Sequence, residues 1–439
     1  MQVMPASLAQ VIEADLTWSG RRFERDVRVS VDADGRIAGV GALNTPATRR
    51  LSSRALIPGM INAHSHAFQR GLRGHGETFP PRQGRADFWT WRQAMYALVE
   101  TLDEPKLHAL CVQCFREMLA AGVTTVGEFH YLHHNASLKG FAFDEVVLRA
   151  AQEVGIRIAL IESYYRTGGI DRELAGGQLR FRTNSTDEYW QQIDRLTPTL
   201  DRRTQSIAAS AHSIRAASID EITDLQVEAS RRGLPFHMHV EEQPQEVADC
   251  VERFGKPPMA LLNERLEINP MFTAVHCTHT AEADMSEFLS RGGGVCINPL
   301  TEGNLGDGIP NLPFILRNGG RVALGSDSNL RLCWTEEMRW LEYAQRLRSG
   351  RRGLAVDEEG SCARKLLECA TISGAKALGL RAGRIETGCP ADFAAIDLTT
   401  PSLQGWTDDT LLDAFIFGTG SEAIREVCVG GKWIEQLHR

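Results

Sequence analysis

Several things are missing from this chain, and each absence narrows what it can be. No run of about 18 apolar residues occurs, so no membrane-spanning helix is expected. The opening stretch MQVMPASLAQVIEADLTW has no basic segment leading into an apolar one, so no secretory signal is expected either. Basic residues are in deficit, 48 Lys and Arg against 56 Asp and Glu, a formal net charge of −8. A nucleic-acid binder carries a basic field, which this balance excludes, whereas an anionic small molecule needs only a few local arginines. The ten cysteines lack framework spacing, and the one C-x-x-C, Cys111 and Cys114 in ALCVQCFREML, lies in a helical pattern without a second pair. That excludes a disulfide scaffold and points to buried, reduced thiols in a cytoplasmic protein. Internal repeats, low-complexity tracts and long linkers are also lacking.

What is present is alternation. Short apolar runs begin near Ala55 (ALIPGMINAH), Val123 (VTTVGEFH), Ile156 (IRIALIES), Ser206 (SIAASAH), Pro235 (PFHMHV), Phe272 (FTAVHC), Gly293 (GGVCINP) and Arg321 (RVALGSD). Helical patterns separate them, such as ASIDEITDLQVEASRRG, where Ile219, Ile222, Leu225 and Val227 trace an apolar face that Gly233 ends. Strand and helix alternating eight times predict an α/β chain built on a (β/α)8 TIM-like barrel over residues 55–382. A doubly wound sheet would alternate too, but no Gly-rich phosphate fingerprint follows the first run. The flanks, 1–54 and 383–439, hold short strands around turns, as in DVRVSVDADGRIAGVG and REVCVGGKWIEQL. Neither flank can bury a core alone, so the two are expected to join in one small β-sandwich.

The polar residues fall at the C-terminal ends of these runs: His64 and His66, His130, His212, His239, His276 and Asp327. In a barrel of this kind that rim carries the active site. His64 and His66 are two residues apart on a strand and share a face. With His239 from HMHVEE and Asp327 from GSDSN they make three imidazoles and a carboxylate, a donor set for one divalent metal. Zinc is the first choice, and ferrous iron accepts the same donors. Other histidines carry less: His237 is expected to pack inside the barrel, His279 to support the site, and His133 and His134 to hold a loop.

These residues resemble the amidohydrolase superfamily, from PGMINAHSH to the C-terminal GRIETGCPADFAAID. The resemblance implies that His64, His66, His239 and Asp327 hold one metal and that His276 hydrogen-bonds the bound water or the substrate. Two-metal branches use a lysine at the fourth strand; here that strand ends in ASAHSIR, so one metal is implied. A divalent metal lowers the pKa of bound water from about 15.7 to about 7. A nearby carboxylate can then carry a proton to a leaving nitrogen. Strand parity would favour Glu241, while the H-x-x-E pattern of the superfamily's deaminases selects Glu242, with Asp327 taking the proton as water attacks.

The stretches SHAFQRGLRG, FWTWRQAMY, GEFHYLHH, HSIRA, HVEEQPQEV and TEGNLGDGI are similar to the superfamily branch that acts on formimino-glutamate. That likeness implies hydrolysis of N-formimino-L-glutamate to N-formyl-L-glutamate and ammonia, a step of histidine degradation, by a homodimer. It assigns substrate contacts to Gln69, Arg92, Tyr131, His212 and Arg215, the two arginines facing two carboxylates. Phe88, Trp89 and Trp91 are expected to pack the long insertion after the first strand, a segment able to act as a lid. A metal-dependent deaminase of a heterocycle such as a nucleobase is the alternative.

Overall fold

The computed structural model describes residues 8–75, 77, 88–138 and 140–434, so the ends of both flanks lie outside the described residues. Eight parallel strands follow one another around the centre: Met60–Ser65, Val123–His130, Arg157–Tyr164, Gln205–Ser213, Phe236–Val240, Phe272–His276, Gly294–Ile297 and Arg321–Leu324. A parallel bridge between Ser65 and Asp327 brings the last strand back to the first at the rim, so the sheet is a nearly closed (β/α)8 barrel. Seven of the eight begin within one residue of the apolar run that announced them.

The first run behaves differently. Arg49–Pro58 pairs with Leu8–Trp18 and Phe393–Asp397 in a second sheet, and the barrel strand starts only at Met60, beyond Gly59. A Cβ on Gly59 would fall 2.1 Å from Thr124 Oγ1, which explains the glycine. The boundary at 54/55 therefore lies inside a strand. Side chains along it alternate between two cores: Leu56 belongs to the core of the second sheet, Ala55 and Ile57 to that of the barrel. A strand buried on both faces reads as one continuous apolar run, which hides the break at Gly59.

Both chain ends build this second sheet. Leu8–Trp18, Phe23–Glu24, Arg28–Asp32, Ile37–Gly41 and Arg49–Pro58 come from one end; Phe393–Asp397, Ile424–Val429 and Lys432–Ile434 come from the other. The hydrogen-bonded path is continuous, so the flanks form a single sheet with its own core of Ile12, Val29, Val31, Ile37, Phe393 and Cys428. A buried ion pair fastens it to the third barrel strand, with Arg157 Nε 2.7 Å from Asp392 Oδ2.

The helix Ile219–Arg232 illustrates the layer outside the barrel. Ser218 and Glu221 cap each other's backbone, and Gly233 closes the helix at φ +67°. Ile219, Ile222 and Leu225 are buried, but Val227 is 49% exposed and Gln226 takes the inward place, donating to the Glu267 carbonyl. All ten cysteines are thiols, nine of them buried. Among the described residues no helix is long and apolar enough to cross a membrane.

Candidate metal centre and active site

At the barrel rim His64, His66, His239 and Asp327 place one donor atom each within 4.8 Å of all the others. His66 Nδ1 lies 2.8 Å from the Phe129 carbonyl and His239 Nδ1 lies 2.9 Å from the His212 carbonyl. Only an N–H can face a carbonyl, so both rings carry their proton on Nδ1 and present a lone pair on Nε2. Yet His64 Nε2 is 3.2 Å from His66 Nε2 and 3.1 Å from His239 Nε2, and Asp327 Oδ1 is 3.2 Å from His66 Nε2. The lone pair on His66 Nε2 and the Asp327 carboxylate oxygen repel at this distance unless a cation lies between them. Burial, followed by neighbouring imidazoles, pushes His64 and His239 well below the ordinary histidine range, which keeps them neutral as ligands must be. The donor set fits a divalent metal.

The backbone at the rim is bent to aim these groups. Asp327, His276, Cys277, Glu241 and Asn329 all have positive φ, +50 to +73°. Such conformations cost of order 1–3 kcal/mol each and gather where surrounding contacts hold them. For Asp327 the holding contacts are a chain of hydrogen bonds. Asn62 Nδ2 donates to Ser326 Oγ at 2.6 Å, Ser326 Oγ to Asn329 Oδ1 at 2.6 Å, and Asn329 Nδ2 to Ser65 Oγ at 3.1 Å. Ser326 and Asn329 of GSDSN thus support the backbone around Asp327, the candidate donor.

His276 stands beside the candidate donors. Its Nε2 is 3.6 Å from Asp327 Oδ2 and 3.9 Å from Glu242 Oε1, while its Nδ1 is 3.4 Å from Glu302 Oε1. Burial opposes its protonation, but Glu242, Glu302 and Asp327 outweigh burial and push it up to about 10. Glu302, held by the Asn298 N–H at 3.0 Å, gives the TEGNL segment its purpose as the support of this imidazole.

A narrow pocket opens from the metal donors, lined by every expected substrate contact: Gln69, Arg92, Tyr131, His212 and Arg215, together with Glu242. Gln69 Nε2 donates to the Tyr131 hydroxyl at 2.7 Å, and Gln69 Oε1 is buried without a partner. Burial, then Arg215 and Arg92, holds His212 well below the ordinary histidine range.

The two arginines differ. Arg215 Nη2 pairs with Glu242 Oε2 at 2.9 Å. Arg92 has only neutral partners among the described residues: the hydroxyls of Tyr96 at 2.7 Å and Tyr165 at 3.1 Å, and the faces of Phe88, Trp89 and Tyr96. Arg92 lies in the helix Phe88–Thr101, which covers the pocket; residues 78–87 of the same insertion lie outside the described residues. Phe88 and Trp91 pack there and also line the pocket.

Several contributors carried no readable signal. Tyr165 and Phe181 line the pocket, and Gln178 Nε2 donates to the Tyr96 hydroxyl at 3.0 Å and the Tyr165 hydroxyl at 3.4 Å. Glu246, fully buried, reaches Arg215 Nε at 3.5 Å. The other histidines have structural partners: His237 the Ala377 carbonyl at 2.8 Å, His134 the Arg182 carbonyl at 2.7 Å, His133 the Ser163 carbonyl at 2.8 Å. His130, His133 and Asp144 form a second buried group with His-to-carboxylate distances of 3.0 Å. There the nitrogens face oxygens, as in hydrogen bonding, whereas at the rim they face one another.

With the barrel, the rim constellation and the pocket described, the class follows: residues 55–434 match the Amidohydrolase family, and the chain belongs to it. Among individual relatives, the chain is 36% identical over 421 residues to the formimidoylglutamate deiminase of Pseudomonas aeruginosa, covering 94% of this chain and 91% of that one. It is 27% identical over 432 residues to the 5-methylthioadenosine/S-adenosylhomocysteine deaminase of Syntrophobacter fumaroxidans, covering 96% of this chain and 90% of that one. Among solved structures, an amidohydrolase from Brucella melitensis superposes with a TM-score of 0.88 at 32% identity, covering 97% of this chain and 94% of that one. A zinc-bound adenosine deaminase from Xanthomonas campestris superposes with a TM-score of 0.80 at 25% identity, covering 96% and 92%.

Proposed function

We propose that this protein hydrolyses N-formimino-L-glutamate to N-formyl-L-glutamate and ammonia. One observation carries the reading: two buried arginines line the pocket beside the metal donors, and Arg92 has no carboxylate partner among the described residues. A buried guanidinium whose hydrogen bonds go only to neutral groups gains a direct anionic partner when a carboxylate arrives. A substrate with two carboxylates supplies one for each arginine, and a nucleobase supplies neither. The likeness to the deiminase over 94% of the chain supports the same choice.

His64, His66, His239 and Asp327 would hold the metal, whose chemistry is to make water a nucleophile at neutral pH and to polarise the carbon under attack. Arg92 and Arg215 grip the carboxylates and fix the formimino carbon at the rim. Gln69 Oε1, buried and unpartnered, accepts from an amidine N–H. As water attacks, the carbon–nitrogen π pair passes to the terminal nitrogen; Asp327 Oδ2, directed toward His276, accepts a proton from that water, and His276 donates to the water's oxygen. The water's two protons, the one taken by Asp327 and the one its oxygen loses on becoming the formyl C=O, reach the terminal nitrogen through Glu242; the carbon–nitrogen bond breaks and ammonia departs, while the N–H bonded to the glutamate backbone is kept. The aromatic roof of Phe88, Trp91 and Phe181 excludes bulk water. Zinc is the expected metal, a homodimer the expected assembly, the cytoplasm the expected location, and histidine breakdown the expected context.

The test is ammonia release from N-formimino-L-glutamate by metal-analysed protein, with the carbon product identified by mass. Stoichiometric ammonia and N-formyl-L-glutamate are expected. No turnover by metal-loaded protein would overturn the substrate and return the choice to a heterocycle.

A further inference from the structure

We infer that Arg215 is a substrate-operated latch on Glu242: its guanidinium holds the proton-transferring carboxylate until a substrate carboxylate takes its place. The inference rests on the function proposed above and adds a positioning role that couples binding to chemistry. In the pocket Arg215 Nη2 donates to Glu242 Oε2 at 2.9 Å, and both side chains are buried. A carboxylate that grips a guanidinium bidentately uses Nη2 on either forked edge, the end formed with Nη1 or the side formed with Nε. An incoming carboxylate therefore competes with Glu242 for the nitrogen that Glu242 occupies. It also repels Glu242, because two like charges a few ångströms apart in a buried pocket interact strongly.

Two further features make the exchange feasible. Nη1 of Arg215 is buried without a hydrogen-bond partner, so the fork is half open to a ligand. Behind it Glu246 Oε2 lies 3.5 Å from Arg215 Nε and is itself without a hydrogen-bond partner. The guanidinium thus has a second carboxyl group beside it when Glu242 leaves. Glu242, once released, has Oε1 already directed toward His276, 3.9 Å away, at the edge of the reacting centre. Arg92 lacks any such carboxylate and has nothing to release, so the two arginines divide the work between affinity and turnover.

The experiment compares N-formimino-L-glutamate with N-propylformamidine, which keeps the amidine and lacks both carboxylates. Added propionate should raise kcat for the carboxylate-free amidine by about tenfold in the unmodified enzyme, filling the fork in trans. Arg215→Met should act in opposite directions, slowing the glutamate compound by about tenfold or more while speeding the carboxylate-free amidine. Arg215→Lys, which keeps the charge but lacks the fork, should lose most of the propionate activation. A merely structural arginine would slow both substrates alike, and a merely binding one would leave the amidine unchanged with no effect of propionate; either result overturns the latch alone. Failure of the unmodified, metal-loaded enzyme on N-formimino-L-glutamate itself overturns the functional reading and the latch together.

Discussion

Replacing Arg92 by methionine separates binding from folding, because the structure assigns the two effects opposite signs. Arg92 is buried, and its hydrogen bonds go only to the hydroxyls of Tyr96 and Tyr165. In the free enzyme its charge therefore has no anionic hydrogen-bond partner. In the complex it meets a substrate carboxylate, and a charge-assisted pair contributes about 1.5–3 kcal/mol. At about 1.4 kcal/mol per factor of ten, losing that pair should lower kcat/KM by about 10- to 150-fold. The loss should fall on KM, since Arg92 does not touch the reacting atoms.

Stability should move the other way. Methionine fills a similar space without a buried charge, and Gln178 Nε2 still donates to both tyrosine hydroxyls, at 3.0 and 3.4 Å, so neither is orphaned. The change should be neutral or stabilising, by about 0–2 kcal/mol. Steady-state kinetics and a thermal melt of the same preparation read both numbers. An unchanged KM, or a clearly lowered Tm, would refute the view that this charge awaits its partner in the ligand.

Three further expectations follow from the same contacts. Glu242→Gln should keep its metal yet lose about 10²–10⁴ in kcat, the usual worth of a positioned proton carrier; near-normal turnover removes Glu242 from the chemistry. Asp144→Asn should destabilise by about 3 kcal/mol in urea unfolding, because His130 and His133 both point at that carboxylate in a buried setting; a change under about 1 kcal/mol contradicts this. Glu246 is pushed up to about 7 by burial, with Arg215 opposing. A carboxyl raised in the fold makes no difference below its unfolded value, near 4.5. It then costs stability increasingly as pH rises toward 7. Glu246→Gln should therefore gain stability relative to the unmodified protein between those pH values, by up to about 3 kcal/mol. A pH-independent difference would show that Glu246 is not strained.

The barrel was legible because its strands are buried on both faces and end in glycine or polar residues, so apolar runs and their punctuation mark them directly. The metal donors were legible because His64, His66, His239 and Asp327 each close such a run. The Ala55 run misled, since one strand facing two cores looks the same as a strand leading straight into the barrel. Val227 misled because a small polar network at Gln226 overrode hydrophobicity in choosing the inward face. Tyr165, Gln178 and Glu246 could not be read at all. Gln178 meets Tyr96 across 82 residues of chain, through a short turn at Gly176–Phe181 whose position depends on the folded loops around it. Local pattern carries no information about such a meeting.

The central claim is that two carboxylates, recognised by two buried arginines, select the substrate of this metal site. The most direct measurement is kcat/KM for N-formimino-L-glutamate against 5'-methylthioadenosine, in one metal-analysed preparation. Two lost charge-assisted contacts of about 1.5–3 kcal/mol each predict a preference of about 10²–10⁴ for the dicarboxylate amidine. Comparable values, or a preference for the nucleoside, would contradict the account.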